Sequence, residues 1–330
     1  MSSTLPPDVA SGTQEEFVAQ EFIADVRTGL SHPTKHLPPK YFYDELGSLL
    51  FDAICRLPWY PITRAESGLI QKFAPAVLAN FPDPLNILEL GPGNGEKLAL
   101  LIETGRGAGR KLAVDLVDIS AIALELSSHR LSSIPGVTVT GHRATFEEGL
   151  ERIAAGREGL GPRLVLFLGS NLGNFEPPTD GAFLGGVRRA LRAGDGFLLG
   201  VDLVKEETRL LLAYDDPLGV TAAFNKNLLV RMNRELKASF PLEAFSHRAR
   251  WNASASRIEM HLVAQRALRV EIPESGISPS FEEGESIFTE SSYKFDLGRL
   301  AALAESADFR LERRWVDEEA RYALILLRPA

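Results

Sequence analysis

The segment from Asn86 to Lys97 constrains the fold more than any other part of this sequence. A short strand at 87–90 runs directly into a glycine-rich turn at 91–95, and the apolar spacing of a helix follows. Glycine lets the main chain approach a ligand closely, and α/β proteins bind nucleotide-like ligands at turns of this kind. The same turn could bind a dinucleotide, or no ligand at all. An acid on the strand itself, Glu89, stands two residues before the first glycine.

Segments with strand and helix patterns alternate from residue 86 to residue 203. The predicted strands lie near 86–90, 111–117, 137–141, 163–169 and 195–203, and the helices between them near 96–104, 120–131, 146–154 and 179–193. Nearly continuous apolar strands, such as 164–168, are typical of a parallel sheet that helices cover on both faces. The pattern therefore predicts a doubly wound α/β domain.

The flanking parts of the chain follow other patterns. Helices are predicted at 15–30, at 63–78 and, broken near 215–219, within 206–236; strand-like alternation occurs at 257–265 and 285–295. The α/β alternation returns with a helix at 297–306 and strands at 309–316 and 321–328. We expect a disordered tail at 1–12, a substrate-binding lobe of 13–65 and 206–295, and a ligand-binding α/β domain of 66–205 and 296–330.

The composition excludes several kinds of partner. The net charge is −8 and there is no basic stripe, whereas a nucleic-acid-binding surface needs a basic excess. The lone Cys55 cannot form an internal disulfide, no Cys/His cluster has the spacing of a zinc site, and no apolar run reaches the roughly 18 residues of a membrane span. We expect a cytoplasmic, monomeric protein with no metal, no nucleic-acid partner and no membrane partner.

Two charged residues near the glycine turn have functional and structural interpretations. Asp118, at the end of the second strand, is placed to accept hydrogen bonds from ribose hydroxyls. It could instead cap the following helix, a role for which Ser120 is also suited. Lys97, in the first turn after the glycines, could pair with the carboxylate of an amino-acid ligand or remain a solvated surface charge.

The turn after the fourth strand is rich in glycine and asparagine. Residues 169–174 could offer amide donors and acceptors to a ligand at the carboxyl edge of the sheet. Alternatively, the asparagines are there because they tolerate a left-handed backbone. Tyr60 and Tyr214, judged from the residues alone, are half-buried core aromatics with a solvated hydroxyl.

The strand, acid and glycine order resembles the first motif of class I S-adenosylmethionine-dependent methyltransferases. Over nearly the whole chain the sequence resembles the histidine-specific S-adenosylmethionine-dependent methyltransferase family. The blocks that carry this resemblance are Tyr41-Phe42-Tyr43-Asp44, Leu57-Pro58, Thr63-Arg64, Glu89-Leu90-Gly91, Phe167-Leu168-Gly169-Ser170, Gly173-Asn174, Ala213-Tyr214-Asp215-Asp216, Gly219 to Asn225, Ala249-Arg250-Trp251-Asn252, Arg257-Ile258-Glu259-Met260, Thr289-Glu290, Ser292 and Lys294-Phe295.

The resemblance implies a reaction and a set of site residues. The implied reaction methylates the α-amine of L-histidine, up to trimethylhistidine (hercynine) in ergothioneine biosynthesis, with S-adenosylhomocysteine as the other product. The implied contacts to the substrate's α-amino and carboxylate groups are Tyr60, Asn174 and Tyr214, those to its imidazole are Glu290 and Ser292, and Phe51, Gly169 and Met260 line the same pocket. The implied contacts to the methyl donor are Glu89, Gly91, Gly93, Lys97, Asp118, Thr145 and Phe146.

Residue chemistry agrees with the imidazole assignment. Glu290 and Ser292 are two residues apart on a strand and therefore face the same side. A carboxylate and a hydroxyl side by side can bind both nitrogens of an imidazole. Without the resemblance, the pair would be interpreted as an exposed polar strand face. The amine must lose a proton before it reacts, and we assign Tyr43, or a water near it, to assist this step.

Two positions depart from the family pattern. The family often has an Asp-Phe pair after the third strand to bind adenine, and here the pair is Thr145-Phe146. Phe146 can still stack on the base, while the hydroxyl of Thr145 must replace a carboxylate. The glycine turn, residues 92–95, is also less rich in serine than the family form.

Three other functions remain open from the residues. The chain could be another transferase on the same sheet, such as an aminopropyltransferase or a methyltransferase for a different amino acid. It could be a nicotinamide-dependent dehydrogenase, although the acid before the glycines argues against one. It could also be a binding protein without turnover, for which Thr145 is the one hint.

Overall fold

The computed structural model describes residues 11–107, 109–155 and 161–330 of the chain. Most of the tail predicted at 1–12 lies outside the described residues, and its last two residues begin the first helix. The helices are α1 Ser11–Ser31, α2 Glu45–Cys55, α3 Ile62–Leu78, α4 Glu96–Gly105, α5 Ala121–Ser132, α6 Phe146–Ala155, α7 Thr179–Ala190, α8 Glu207–Tyr214, α9 Val220–Glu235 and α10 Leu297–Ser306.

The strands follow the predicted positions closely, with bounds that shift by a few residues. They are β1 Leu85–Leu90, β2 Leu112–Asp118, β3 Val137–Arg143, β4 Arg163–Phe167, β5 Gly196–Asp202, β6 Phe245–Asn252, β7 Arg257–Ala264, β8 Leu268–Arg269, β9 Ser280–Phe281, β10 Ser286–Tyr293, β11 Phe309–Asp317 and β12 Tyr322–Pro329. The sequence pattern missed β6, β8 and β9. Strand β6 has polar or charged residues at most positions and few buried ones, so it lacks a clear apolar alternation.

The larger sheet confirms the predicted doubly wound α/β fold. Its strand order is β11-β12-β5-β4-β1-β2-β3. Neighbouring strands run parallel, except that β12 is antiparallel to both β5 and β11. Strands β1, β4 and β5 are buried along their whole length, as expected for strands that are covered on both faces.

The strand order creates a crevice at the carboxyl edge of this sheet. From β1 the chain continues to β2 on one side, and after β3 it returns to β4 on the other side of β1. Ligands of open α/β sheets bind at such a reversal, outside the carboxyl ends of the strands. The turn after β1, residues 91–95, and the turn after β4, residues 168–174, both lie at this point.

The chain divides into two compact units. Unit 1 contains the described residues up to Phe51, together with Asp215–Ala249 and Glu259–Glu290. Unit 2 contains Asp52–Tyr214, Arg250–Ile258 and Ser291–Ala330, and therefore the larger sheet. These bounds differ from those predicted for the two lobes, because residues 52–65, 206–214, 250–258 and 291–295 fall in unit 2. A second sheet, of order β10-β7-β6, has strands that the division crosses.

Candidate active site

The turn after β1 exposes bare backbone. Gly91, Gly93 and Gly95 all have left-handed φ angles, of 69°, 55° and 75°, which residues with a side chain rarely adopt. A Cβ at Gly93 would meet no atom within 4 Å, whereas a Cβ at Gly91 would lie 3.4 Å from Asn171 Nδ2 and 3.5 Å from the ring of Phe146. The backbone thus has free space beside it at Gly93, whereas at Gly91 it is in van der Waals reach of Asn171 and Phe146.

Two carboxyl groups with raised pKa values lie at the ends of β1 and β2. Glu89 is buried, and its Oε2 has no hydrogen-bond partner among the described residues. Burial raises the pKa of Glu89 to about 8, although the charge of Lys97 opposes the shift. Burial also raises the pKa of Asp118 to about 6. The hydroxyl of Ser120 accepts a hydrogen bond from Ala123 N–H (3.2 Å) and caps α5, so Asp118 is not the cap.

Lys97 is bound by an acid that the sequence interpretation missed. Its ammonium forms an ion pair with the carboxylate of Glu66, a fully buried residue of α3. The same carboxylate accepts hydrogen bonds from Gly169 N–H (2.9 and 3.0 Å) and from the hydroxyl of Tyr322 (2.5 Å). Burial lowers the pKa of Lys97, but the attraction of Glu66 outweighs it and leaves that pKa above its ordinary value. Lys97 is therefore a paired cation and not a solvated surface charge.

The position of Glu66 in the sequence carried a signal. It follows Ile62 by four residues and precedes Leu69 by three, and both neighbours are buried. This spacing places an acid on the core face of a predicted helix. A Cβ at Gly200 of β5 would lie 2.0 Å from Glu66 Oε1. The sheet thus leaves room for this carboxylate by having glycine at that position.

The turn after β4 has left-handed φ angles at Gly169 and Ser170, of 78° and 62°. The alternative that its asparagines provide the left-handed backbone is therefore wrong. Asn171–Asn174 form a short 3₁₀ helix, whose last residue is the predicted substrate contact. A Cβ at Gly173 would lie 2.6 Å from the carbonyl oxygen of Tyr293, so this turn packs closely against the end of β10.

Three predicted substrate contacts come together in unit 2. Tyr60 and Tyr214 are both buried, with ring centroids 6.2 Å apart. The hydroxyl oxygens of Tyr214 and Ser292 are 2.8 Å apart and hydrogen-bonded. The ammonium of Lys294, to which the sequence interpretation gave no role, donates to both oxygens, at 2.8 and 2.9 Å. The solvated tyrosine hydroxyl expected from the residues alone is thus replaced, at Tyr214, by a buried hydrogen-bond network.

Unit 1 contains an aromatic cluster around Tyr43. The ring centroid of Tyr43 is 5.7 Å from that of Phe51 and 5.8 Å from that of Phe224. Phe51 and Phe224 are 5.9 Å apart. Centroid distances between 4.5 and 7 Å are typical of favourable aromatic pairs. The predicted catalytic tyrosine and the predicted pocket residue Phe51 therefore belong to one packed group.

Strand β10 carries the predicted imidazole contacts. Glu290 and Ser292 are both buried, so the alternative of an exposed polar strand face is wrong. Met260, on the neighbouring strand β7, is also buried. Its carbonyl accepts a hydrogen bond from the hydroxyl of Thr289 (3.0 Å), the residue before Glu290.

Thr145 has a structural role that the sequence interpretation did not include. Its hydroxyl oxygen accepts from Glu148 N–H (3.3 Å), and the carboxylate of Glu148 accepts from Thr145 N–H (3.2 Å). This reciprocal arrangement is the capping box of a helix N-terminus, here that of α6. The ring of Phe146 packs edge-on against Phe167, with centroids 5.3 Å apart. Any contact of Thr145 with adenine would be made by a hydroxyl that already caps a helix.

Over the described ranges, no group of three or more His, Cys, Asp or Glu side chains is arranged to hold a metal ion. The helices of these ranges are also too short or too polar to cross a membrane.

Comparisons with known proteins identify the family of this chain. The family model of histidine-specific, S-adenosylmethionine-dependent methyltransferases matches residues 22–329. The chain is 40% identical over 303 residues to the histidine N-alpha-methyltransferase of Mycobacterium tuberculosis, covering 92% of this chain and 93% of that protein. It is also 40% identical over 310 residues to the histidine N-alpha-methyltransferase of Mycolicibacterium smegmatis, covering 93% and 95%.

A more distant relative acts on another amino acid. The chain is 25% identical over 334 residues to the L-tryptophan methyltransferase of Psilocybe serbica, covering 92% of each protein. The family match spans nearly the whole chain, including both units and every predicted site residue. The chain belongs to the histidine-specific, S-adenosylmethionine-dependent methyltransferase family.

Proposed function

We propose that this enzyme transfers methyl groups from S-adenosylmethionine to the α-amino group of L-histidine, up to trimethylhistidine (hercynine), as a step of ergothioneine biosynthesis. The observation that carries the proposal is the pair Glu290 and Ser292, buried two residues apart on β10. A carboxylate and a hydroxyl on one strand face match the two ring nitrogens of histidine. The two relatives that are 40% identical, both histidine N-alpha-methyltransferases, support it.

The residues at the ends of β1 and β2 fit S-adenosylmethionine. Oε2 of Glu89, which no described residue hydrogen-bonds, is an acceptor for the ligand's ammonium, and Asp118 is an acceptor for its ribose hydroxyls. Gly93 leaves space for a ligand beside the backbone, and Phe146 offers a ring face to the base. When bound, this donor supplies a methyl group already activated on a sulfonium.

The remaining work of the protein is binding and orientation. Tyr60, Asn174 and Tyr214 bind the α-amino and carboxylate groups, and Glu290 and Ser292 bind the imidazole. Because the methyl group is already activated, the rate depends on aligning the amine with it and on excluding water. We also assign Phe51, Gly169 and Met260 to contacts with the substrate.

The substrate amine has to be neutral when it reacts. An α-amino group has a pKa of about 8 and is mostly protonated at pH 7. We propose that Tyr43, packed against Phe51 and Phe224, assists the departure of this proton directly or through a water.

Tyr43→Phe is expected to lower kcat by about 100-fold and to leave the KM for histidine nearly unchanged. Tyr41→Phe is the matched control, because the hydroxyl of Tyr41 donates to Asp25 (2.6 Å) and has no assigned part in the reaction. Steady-state rates of both variants between pH 6 and 9 make the comparison. A Tyr43→Phe enzyme with unchanged turnover would remove Tyr43 from this role.

Donor binding is expected to release a proton from Glu89. Its pKa of about 8 lies above the ordinary 4.5, so at pH 7 the carboxyl is mostly protonated, and a cationic ligand favours its ionised form. Affinity for S-adenosylhomocysteine, which keeps the ammonium, should therefore rise with pH up to about 8. The same shift makes the ligand-free protein less stable as pH rises from 4.5 toward 8, because the unfolded chain binds fewer protons in that range.

Calorimetric titration with S-adenosylhomocysteine at pH 7, in buffers of different ionisation enthalpy, measures this proton. Glu89→Gln should bind without releasing it. A wild-type titration without proton release would exclude Glu89 from contact with the ammonium of the ligand.

The proposed function is tested by methyl transfer from labelled S-adenosylmethionine across the common amino acids. Histidine is expected to be the preferred acceptor, with mass spectrometry counting the methyl groups added. Preference for tryptophan would favour the activity of the Psilocybe serbica relative, and transfer to no amino acid would favour a binding protein.

We also propose a cytoplasmic monomer that binds neither nucleic acid nor membranes. Light scattering measures its oligomeric state.

A further inference from the structure

The chain that follows β10 is fixed against the end of β5. Phe295 N–H donates to the carbonyl of Asp202 (3.0 Å), and Val204 N–H donates to the carbonyl of Phe295 (3.0 Å). The two segments thus form a short parallel bridge within unit 2. The bridge places Lys294 at the carboxyl end of β5, the edge of the sheet where such folds bind ligands.

The ammonium of Lys294 is fully buried and uses all its donors. Its partners are the hydroxyl of Tyr214 at 2.8 Å, the hydroxyl of Ser292 at 2.9 Å and Oδ2 of Asp202 at 3.1 Å. Burial lowers the pKa of Lys294, but its interactions with Tyr214 and Asp202 outweigh burial and leave that pKa above its ordinary value. The residue is therefore charged, with three N–H donors on three acceptors.

This arrangement sets the direction of two hydroxyl hydrogens. An ammonium can only donate, so the oxygens of Tyr214 and Ser292 both act as acceptors toward Lys294. These oxygens are also hydrogen-bonded to each other, at 2.8 Å, so one hydroxyl hydrogen lies between them. The other hydroxyl hydrogen is turned away from Lys294.

A second lysine, Lys205, also binds Asp202. Its described hydrogen bonds do not include the hydroxyls of Tyr214 and Ser292. Lys205 donates to Oδ1 of Asp202 (2.5 Å) and to the carbonyl of Ala320 (2.5 Å). Its side chain is nearly as buried as that of Lys294, with 4% against 0% exposed. Both lysines are thus buried and bound to Asp202, but Lys294 also binds the hydroxyls of Tyr214 and Ser292, whereas Lys205 binds the carbonyl of Ala320.

We propose that Lys294 is a positioning residue for the amino-acid substrate, holding the hydroxyls of Tyr214 and Ser292 in the orientation that binds it. This inference rests on the proposed function, which assigns both hydroxyls to the substrate. The buried carboxylate of Asp202 keeps the ammonium in place.

The test compares Lys294→Met with Lys205→Met. Each variant removes one buried ammonium from Asp202 and keeps a similar side-chain volume. Lys294→Met should raise both the KM for histidine and its Kd in the S-adenosylhomocysteine complex by about 10- to 100-fold, the usual loss for hydrogen bonds to a charged group. Lys205→Met should change both less than about threefold, and the Kd for S-adenosylhomocysteine should stay constant in both variants.

A double-mutant cycle separates positioning from general destabilisation. In a Tyr214→Phe/Ser292→Ala background, adding Lys294→Met should raise the KM for histidine little further. The inference would be overturned if both lysine variants raised the KM for histidine equally. It would also be overturned if Lys294→Met raised that KM as much in the Tyr214→Phe/Ser292→Ala background as in the wild type. If Lys294→Met does not fold, Lys294→Gln and Lys205→Gln provide the same comparison.

Failure of this inference is distinguishable from failure of the proposed function. If the wild-type enzyme does not methylate histidine, the proposed function is contradicted. The KM and Kd of the two lysine variants are then measured for the amino acid that the acceptor panel identifies. Wild-type enzyme that methylates histidine, together with equal lysine variants, contradicts the inference alone.

Discussion

Glu66→Ala is expected to lower the free energy of unfolding by about 3–5 kcal/mol, as is usual when one member of a buried ion pair is removed. The carboxylate of Glu66 is the shared acceptor for Lys97, Gly169 N–H and the hydroxyl of Tyr322. Without it, these three donors lose their common partner. Urea unfolding followed by circular dichroism measures the change. Affinity for S-adenosylhomocysteine should fall as well, because Lys97 and the turn after β4 lose their anchor.

Two variants test this explanation. Tyr322→Phe removes a single donor and should cost about 1 kcal/mol. The double variant Lys97→Met/Glu66→Gln removes both charges. It should lose less free energy of unfolding than the sum of the losses of the two single variants. Additive free energies would show that the ion pair between Lys97 and Glu66 contributes no coupling.

Much of the fold was predictable because its signals are local. The apolar runs of β1 and β4 and the turn glycines that follow them are contiguous in sequence, so the doubly wound fold could be inferred without knowing any long-range contact. Strand β6 was missed for the opposite reason. Its residues are mostly polar and partly exposed, and its pairing with β7 rather than its own pattern makes it a strand.

The candidate site was predictable mainly through resemblance. The residues alone left Glu290 and Ser292 as an exposed strand face, and burial overturned that alternative. Glu66 and Lys294 received no role, because their partners are distant in the chain: Glu66 binds Tyr322, and Lys294 binds Tyr214. Both stand among apolar neighbours, a signal of a buried charge that needs a partner.

These two missed residues belong to two side-chain groups of unit 2 that meet at paired positions of β12 and β5. Lys97 binds Glu66, and Glu66 accepts from Tyr322, which is the register partner of Asp202 in the β12–β5 pair. Asp202 then pairs with Lys294. Neighbouring members couple energetically in such networks. The changes in unfolding free energy caused by substitutions of neighbouring members are therefore expected to be non-additive.

Glu290→Ala is expected to raise the KM for histidine by about 100-fold, since a hydrogen bond to a charged group contributes roughly 1.5–3 kcal/mol. The KM for S-adenosylmethionine should change little, because the donor contacts are assigned to residues at the ends of β1 and β2. Ser292→Ala, which removes a neutral partner, should raise the KM for histidine less. Glu283→Ala, an exposed acid in the same unit, is the control and should leave both constants unchanged. Steady-state kinetics with each substrate varied in turn provides the comparison, and equal increases in both KM values for Glu290→Ala would count against Glu290 as the imidazole contact.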